Sequence, residues 1–180
     1  MKQILAVVIL IILVLGGIYF FGANKQTAVA NTTFLRIHIR ANSNAEQDQN
    51  VKYQVKERIV NHLTPLLTQG KTLEKAKIIV QNNLQIITTI AEECLKENGF
   101  NYGANASVKE ELFPTRVYED LTLQTGLYDA LIVNLGQGSG DNWWCVVYPP
   151  LCFASGEGNN VVYKSKLMEI INDFKNKYFA

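Results

Sequence analysis

An uncharged apolar segment near the N-terminus constrains this chain more than any other feature. Residues 4–21 contain no charged side chain, although 18% of all residues are charged. As a helix, these 18 residues would be about 27 Å long, close to the roughly 30 Å hydrocarbon core of a bilayer. The segment is therefore typical of a signal peptide or a membrane anchor.

Cleavage and retention of this segment both agree with the sequence. Ala28-Val29-Ala30 has the small-x-small pattern of a signal peptidase site, and cleavage there would leave Asn31 as the first residue. However, the apolar run is longer than in most signal peptides and ends well before Asn31. Lys2 favours a cytoplasmic N-terminus in either case. We expect residues 1–30 to be a signal peptide or signal anchor, which contacts the membrane through residues 4–21 if uncleaved, and residues 31–180 to form one exported domain.

The charge balance of the expected domain argues against a nucleic-acid partner. Residues 31–180 contain 15 basic and 16 acidic side chains, a net charge of −1. Proteins that bind nucleic acids normally carry a basic excess, because they neutralise phosphates. We therefore expect no nucleic acid among the partners.

The hydrophobic periodicity of residues 31–180 predicts an α+β domain. An alternation of period two predicts a strand over 34–39 that buries one face, and further strands over 102–108, 117–123, 127–135 and 143–148. Helical spacing predicts helices ending near 67, over 72–99, and over 161–179. We expect a single domain with a mainly antiparallel sheet packed against two or three helices.

Residue types that support catalysis do not form a recognisable site. His38, predicted on the polar face of the first strand, and His62, on the flank of the first helix, lack a metal-binding spacing. The glycines of 136–140 precede a strand rather than a helix, which indicates a hairpin loop instead of a phosphate loop. Glu110-Glu111 and Glu119-Asp120 are predicted to be solvated, since neighbours on a strand point to opposite faces. We expect no enzyme, no metal and no cofactor.

Cys145 and Cys152 flank Pro149-Pro150 and are a possible disulfide pair. An extended chain would hold their Cα atoms roughly 23 Å apart, whereas a disulfide needs about 5.5 Å. A bridge therefore requires the chain to reverse at the prolines, which an exported domain permits. Two buried reduced thiols are the alternative. Cys94, on the apolar stripe of a predicted helix, is interpreted as a core residue.

Trp143 and Trp144 are neighbours on a predicted strand and should face opposite sides of the sheet. Both would pack in the core in the simplest case. An exposed tryptophan would instead be a typical anchor for a protein partner.

Four stretches of the chain resemble the stage II sporulation protein R family. They are LRIHIRANS at 35–43, FPTRVY at 113–118, YDAL at 128–131 and NWWCVVYPPLCF at 142–153. The resemblance spans residues 34–153, roughly two-thirds of the chain. The sequence departs from the family pattern at Gln124-Thr125-Gly126, in place of Pro-Ala-Gly, at Asn44, in place of an acid, and at Tyr148, in place of phenylalanine.

The resemblance implies a signalling protein of endospore-forming bacteria. Such a protein would be exported from the forespore into the space between the septal membranes. There it would activate a membrane-embedded aspartic protease of the mother cell, which cleaves the sigma-E precursor. An exported cell-wall-binding module or hydrolase at the septum, whose tryptophans stack on sugars, and a purely structural septal protein are the competing hypotheses.

The possible contact residues for such a partner are cationic and aromatic. Arg36 and Arg40 are predicted as cations at strand-edge positions, and Arg116, after a proline-kinked loop, as a residue that orients a carboxylate. Trp143 and Trp144 complete the predicted contact set. Alternatively, Arg116 pairs internally with an acid such as Glu119.

Overall fold

The computed structural model of the chain describes residues 30–118, 121–153 and 161–178. Its strands are β1 (Ala30–Arg40), β2 (Ala104–Phe113), β3 (Arg116–Tyr118), β4 (Leu121–Leu123), β5 (Gly126–Leu135) and β6 (Asn142–Tyr148). Its helices are α1 (Glu46–Leu67), α2 (Leu73–Asn82), α3 (Leu84–Glu97) and α4 (Val161–Tyr178), and Leu151–Phe153 forms a 3-10 turn. The predicted signal or anchor segment, residues 4–21, lies outside these ranges, and no helix within them combines the length and apolarity needed to cross a bilayer.

Four strands form one mixed sheet in the order β2-β5-β1-β6. β1 runs parallel to β5 and antiparallel to β6, and β2 runs antiparallel to β5. β3 and β4 pair with each other in a separate two-stranded sheet, here called the β3–β4 hairpin. The predicted α+β class with a mainly antiparallel sheet is confirmed.

β1 is buried on both faces, whereas the sequence predicted one buried face. Leu35, Ile37 and Ile39 are fully buried, but so are Arg36 and His38, which alternate with them. The difference arises because aromatic side chains from the hairpin and from the neighbouring strands cover the side of β1 that carries Arg36 and His38. The prediction that His38 lies on a solvated face is therefore wrong.

The predicted helix over 72–99 is two helices that meet at Asn83. The Asn83 backbone leaves the helical region, at φ −104° and ψ 3°, and its side-chain amide donates to the Ile79 carbonyl at 2.8 Å. Its side-chain oxygen also hydrogen bonds with His62 Nε2 at 3.0 Å. Asparagine side chains compete with backbone hydrogen bonds in this way, so the described chain has four helices instead of the expected two or three.

Asp48 ties the loop after β1 to the region before β2. Its carboxylate accepts hydrogen bonds from Asn42 Nδ2 at 3.0 Å, Ser43 Oγ at 2.5 Å and Tyr102 Oη at 2.6 Å. Burial alone would raise the pKa of Asp48, but these hydrogen bonds to the charged form outweigh it and hold the pKa below its usual value. The charged form of Asp48 is thus part of the folded structure.

The glycine-rich loop is not a hairpin, which corrects the sequence interpretation. It joins β5 to β6, and these strands lie on opposite sides of β1. The loop therefore crosses the end of β1 and packs against the loop that follows. A Cβ at Gly140 would lie 2.2 Å from the Ser43 carbonyl oxygen, so this close approach requires glycine.

Cys145 and Cys152 form a disulfide in the structure, with their Cα atoms 6.3 Å apart. The chain reverses between them at Pro149-Pro150. Cys94 is a buried free thiol in α3.

Replacing Asp48 by asparagine should lower the free energy of unfolding by about 2–3 kcal/mol at neutral pH, because one amide oxygen cannot accept from all three donors. Since the folded pKa lies below the usual value of 3.8, this stabilisation is present above that pH and is lost as pH falls through the folded pKa. Urea denaturation between pH 7 and 3 measures it. Glu46→Gln, at an exposed position in the first turn of α1, is the control, and an equal loss in both variants would contradict the prediction.

The exported protein should show one alkylatable thiol when denatured without reductant and three after reduction. Mass measurement after alkylation counts the thiols. Closing so short a loop stabilises the fold by roughly 2.5 kcal/mol on the chain-entropy model. Cys152→Ser should therefore lose about this much stability relative to the oxidised parent, and little relative to the reduced parent. Three thiols before reduction would show that the bridge is absent.

Candidate functional site: a basic face of the sheet

The two faces of the sheet carry different chemistry. On β5, Asp129 accepts a hydrogen bond from Lys77 of α2 at 2.5 Å, so its side lies against the helices. The neighbouring Tyr128 points to the opposite side, toward Arg36. We call this opposite side the basic face. It comprises Arg36, His38 and Arg40 of β1, Lys109 and Glu111 of β2, Trp144 of β6, and Arg116 of the β3–β4 hairpin.

Arg36 lies at the centre of the basic face and is 0% exposed. Its Nε donates to the Cys145 carbonyl at 3.0 Å, and its Nη2 donates to the Tyr118 hydroxyl at 2.7 Å. The guanidinium carbon lies 4.4 Å from the ring centre of Phe113 and 4.9 Å from that of Tyr128. Nη1 has no hydrogen-bond partner among the described residues. Aromatic faces and two neutral oxygens thus surround a buried cation.

Glu111 links the other two basic side chains of β1. Its Oε1 lies 3.0 Å from His38 Nδ1 and also accepts a hydrogen bond from Arg40 Nη2. The His38 ring stacks on Trp144, with centroids 3.5 Å apart and planes inclined by 20°. A charged Glu111 fixes the His38 tautomer, because Nδ1 must carry the proton that it donates.

Burial shifts the acidity of both central cations. It lowers the pKa of Arg36, against the opposing effect of the Tyr118 hydroxyl. It also lowers the pKa of His38, and the nearby charge of Arg40 acts in the same direction, while Asn142 and Glu111 oppose it without reversing it. His38 is therefore neutral at pH 7, and Arg36 stays charged because a guanidinium does not lose its proton in proteins.

The arrangement favours binding over nucleophilic catalysis. His38 and Glu111 form an acid–base pair, but neither is hydrogen bonded to a serine, threonine or cysteine side chain in the described part of the chain. His38 is also 1% exposed, so its ring is covered by other side chains in this structure. Across residues 30–118, 121–153 and 161–178, no three histidine, cysteine or acidic side chains cluster as metal ligands would.

The structure brings together four of the five predicted contact residues. Arg36, Arg40 and Trp144 lie on the basic face, and the guanidinium of exposed Arg116 lies 5.8 Å from the Trp144 ring centre. Trp143 faces the helices, 5.9 Å from Lys56 Nζ, as strand alternation predicts. The predicted strand-edge position of Arg36 and Arg40 is wrong, since β1 is internal and Arg36 is buried. The proposed pairing partner of Arg116, Glu119, lies outside the described residues.

Sequence reasoning missed Glu111 and the aromatic residues around Arg36. Glu111 was predicted to be solvated, yet its side chain is 15% exposed and contacts two basic residues. The reasoning placed Glu110 and Glu111 on opposite faces, but assumed that both faces were wet. Phe113, two residues further along the same strand face and fully buried, is the signal that one face of β2 reaches the core.

Comparisons with known proteins point to one family. Residues 31–157 match the family described as "Stage II sporulation protein R". The chain is 32% identical over 161 residues to "Stage II sporulation protein R" of Bacillus subtilis (strain 168), which covers 85% of this chain and 72% of that protein. No solved structure matches the chain.

Acid should destabilise the domain through His38. The folded pKa of His38 is lower than the usual 6.5. The contribution of the neutral His38 ring to the stability of the fold is therefore complete above pH 6.5 and is lost as the pH falls below 6.5. We expect the free energy of unfolding to fall by up to about 1.4 kcal/mol per pH unit as the pH decreases from 6.5 toward the folded pKa of His38. Tryptophan fluorescence during urea unfolding reports this loss. His38→Gln should remove that pH dependence and His62→Gln should keep it; the reverse result would refute the assignment.

Proposed function

The chain belongs to the stage II sporulation protein R family, and from this we propose that it is an exported sporulation signal. In this proposal it leaves the forespore, enters the space between the septal membranes, and activates a membrane-embedded aspartic protease of the mother cell. The protease then cleaves the sigma-E precursor. The observation that carries the proposal is the family match over residues 31–157, which includes every residue named above on the basic face.

The N-terminal segment supports the export step. Residues 4–21 are uncharged and long enough to engage the export machinery, and they lie N-terminal to the described domain. The domain then reaches the septal space either free, after cleavage near Ala30, or anchored by this segment. A disulfide between Cys145 and Cys152 suits that environment, since such bonds persist outside the cytoplasm.

The basic face supports a binding mechanism. Arg116 lies 5.8 Å from the ring centre of the half-buried Trp144, and Arg40 donates to Glu111 on the same side of the sheet, so cationic and aromatic side chains lie together there. Arginine and tryptophan are over-represented where proteins bind each other. Activation by binding requires that the domain prefer the active state of the protease over the inactive one. The domain thus acts by differential affinity and performs no bond cleavage itself.

Co-expression in a bacterium that does not sporulate tests the proposal. Cells that contain the protease and the sigma-E precursor should accumulate cleaved precursor only when this chain is also made and exported. Immunoblotting measures the cleaved fraction. A variant with charges inserted in the apolar segment, Leu10→Arg with Leu13→Arg, should stay in the cytoplasm and leave the precursor intact.

Two results would contradict the proposal. Intact precursor despite correct export, checked by protease accessibility of the domain in spheroplasts, would exclude direct activation. Pull-down of the exported protein by purified peptidoglycan, without any effect on the precursor, would favour the cell-wall-binding alternative.

A further inference from the structure

Arg36 is a buried charge with no acidic partner in the part of the chain that the structure describes. None of the ion pairs formed within residues 30–118, 121–153 and 161–178 includes it, and its acceptors are a carbonyl and a phenol. Buried cations in proteins are normally paired with a carboxylate or another anion, because desolvation of an uncompensated charge is costly. Arg40, two residues away on the same strand, has such a partner in Glu111.

The free hydrogen-bonding capacity of Arg36 has a defined shape. Nε is occupied by the Cys145 carbonyl, which leaves the edge formed by Nη1 and Nη2. On that edge, Nη1 has no partner among the described residues, and Nη2 donates to the Tyr118 hydroxyl. Two parallel N–H groups fit the two oxygens of one carboxylate, whereas a single phenol oxygen can satisfy only one of them.

Tyr118 occupies this edge from a weakly held element. It belongs to the β3–β4 hairpin, whose strands have three residues each and do not join the four-stranded sheet. Tyr118 itself is only partly buried, and its neighbour Val117 is 67% exposed. Rotation of the Tyr118 side chain away from Arg36 therefore requires no break in the main sheet, and it vacates Nη2 beside the unpaired Nη1.

The surroundings of this edge attract an acidic group. Arg40, Lys109 and Arg116 lie on the basic face around Arg36, and Glu111 is the acidic side chain among them in the described residues. This local excess of positive charge contrasts with the net charge of −1 for residues 31–180. It favours approach of a negatively charged segment of a partner protein.

We propose that Arg36 is a latent carboxylate-binding site, which an aspartate or glutamate of the partner protein fills by displacing the Tyr118 hydroxyl. The identification of that partner as the membrane protease rests on the function proposed above. The incoming carboxylate pairs with Nη1 and Nη2 together and neutralises the buried charge, while the rings of Phe113 and Tyr128 stay against the guanidinium. Arg40 and Arg116 steer its approach.

Paired substitutions test the site in the co-expression assay with the full chain. Arg36→Met keeps the length and the apolar contacts but removes the charge, and should reduce the rate of precursor cleavage at least about tenfold while the protein stays folded. Arg58→Met, which removes an arginine paired with Glu97 on the helical side, should leave the rate unchanged. Tyr118→Phe removes the competing hydroxyl and should increase the rate about threefold or more at limiting amounts of this chain.

Resistance to added protease, measured on the exported proteins, separates loss of recognition from loss of folding. If Arg36→Met is unfolded, Tyr118→Phe decides alone: a gain supports the site, and no change or a loss overturns it. Activation by Arg36→Met at the wild-type rate also overturns it. Failure of the wild-type chain to activate the protease would instead contradict the proposed function. The test therefore distinguishes an error in the Arg36 site from an error in the proposed function.

The source of the carboxylate is tested separately. Co-purification of the full chain with the protease in detergent should weaken when the acidic residues in the non-cytoplasmic loops of the protease are changed to amides. If Glu119→Gln with Asp120→Asn reproduces the loss seen with Arg36→Met, the chain supplies its own carboxylate and the inference is wrong. Arg36-dependent binding to phosphatidylglycerol vesicles without protease would identify a lipid phosphate and also refute it.

Discussion

The burial of charged side chains on β1 is the constraint that shapes the domain. β1 lies between β5 and β6, so Arg36 and His38 cannot reach solvent along either edge of the strand. Each of these two side chains must be stabilised by side chains of other strands that pack over it. β2 supplies Glu111 and Phe113, β5 supplies Tyr128, and the hairpin supplies Tyr118. The arrangement of the whole basic face follows from these requirements.

The two sides of the sheet have different roles: one side stabilises the fold, and the other carries the candidate binding residues. On the helical side, Leu35, Ile37 and Ile39 pack in a large apolar core, which is the main favourable contribution to folding. On the other side, a buried guanidinium contributes little or nothing to stability compared with an apolar residue of similar volume. A costly side chain at the centre of a face with exposed cations is more readily explained by binding than by packing.

The sequence predicted the local structure well and the long-range structure poorly. The alternation over 34–39 and the four-residue spacing of Val51, Val55 and Ile59 each report the immediate environment of one segment, and both elements are present. Parallel pairing of β1 with β5 joins segments some 90 residues apart and has no local signature. The break at Asn83 depends on one side chain competing for a backbone carbonyl, against a strong apolar stripe.

For the candidate site too, the residue types could be predicted from the sequence and their spatial arrangement could not. Arginine and tryptophan types at 36, 40, 116 and 144 were recognised, because such residues recur where proteins bind each other. Their mutual placement was not, because it depends on which strand neighbours β1 and on how the hairpin folds back. Glu111 was assigned to solvent because its own charge does not show that a basic residue from a distant strand covers it. The available sign was the apolar Phe113, two residues further along the same face.

The parallel pairing of β1 also governs the order in which the domain can assemble. β1, the first strand of the described residues, finds its neighbours in β5, which begins at Gly126, and in β6, which ends at Tyr148. Contacts across so many intervening residues form late and slow the folding of a chain. If such a polypeptide passes through a narrow channel from its N-terminus, it would thus stay unfolded, and able to pass, until most of its length had emerged.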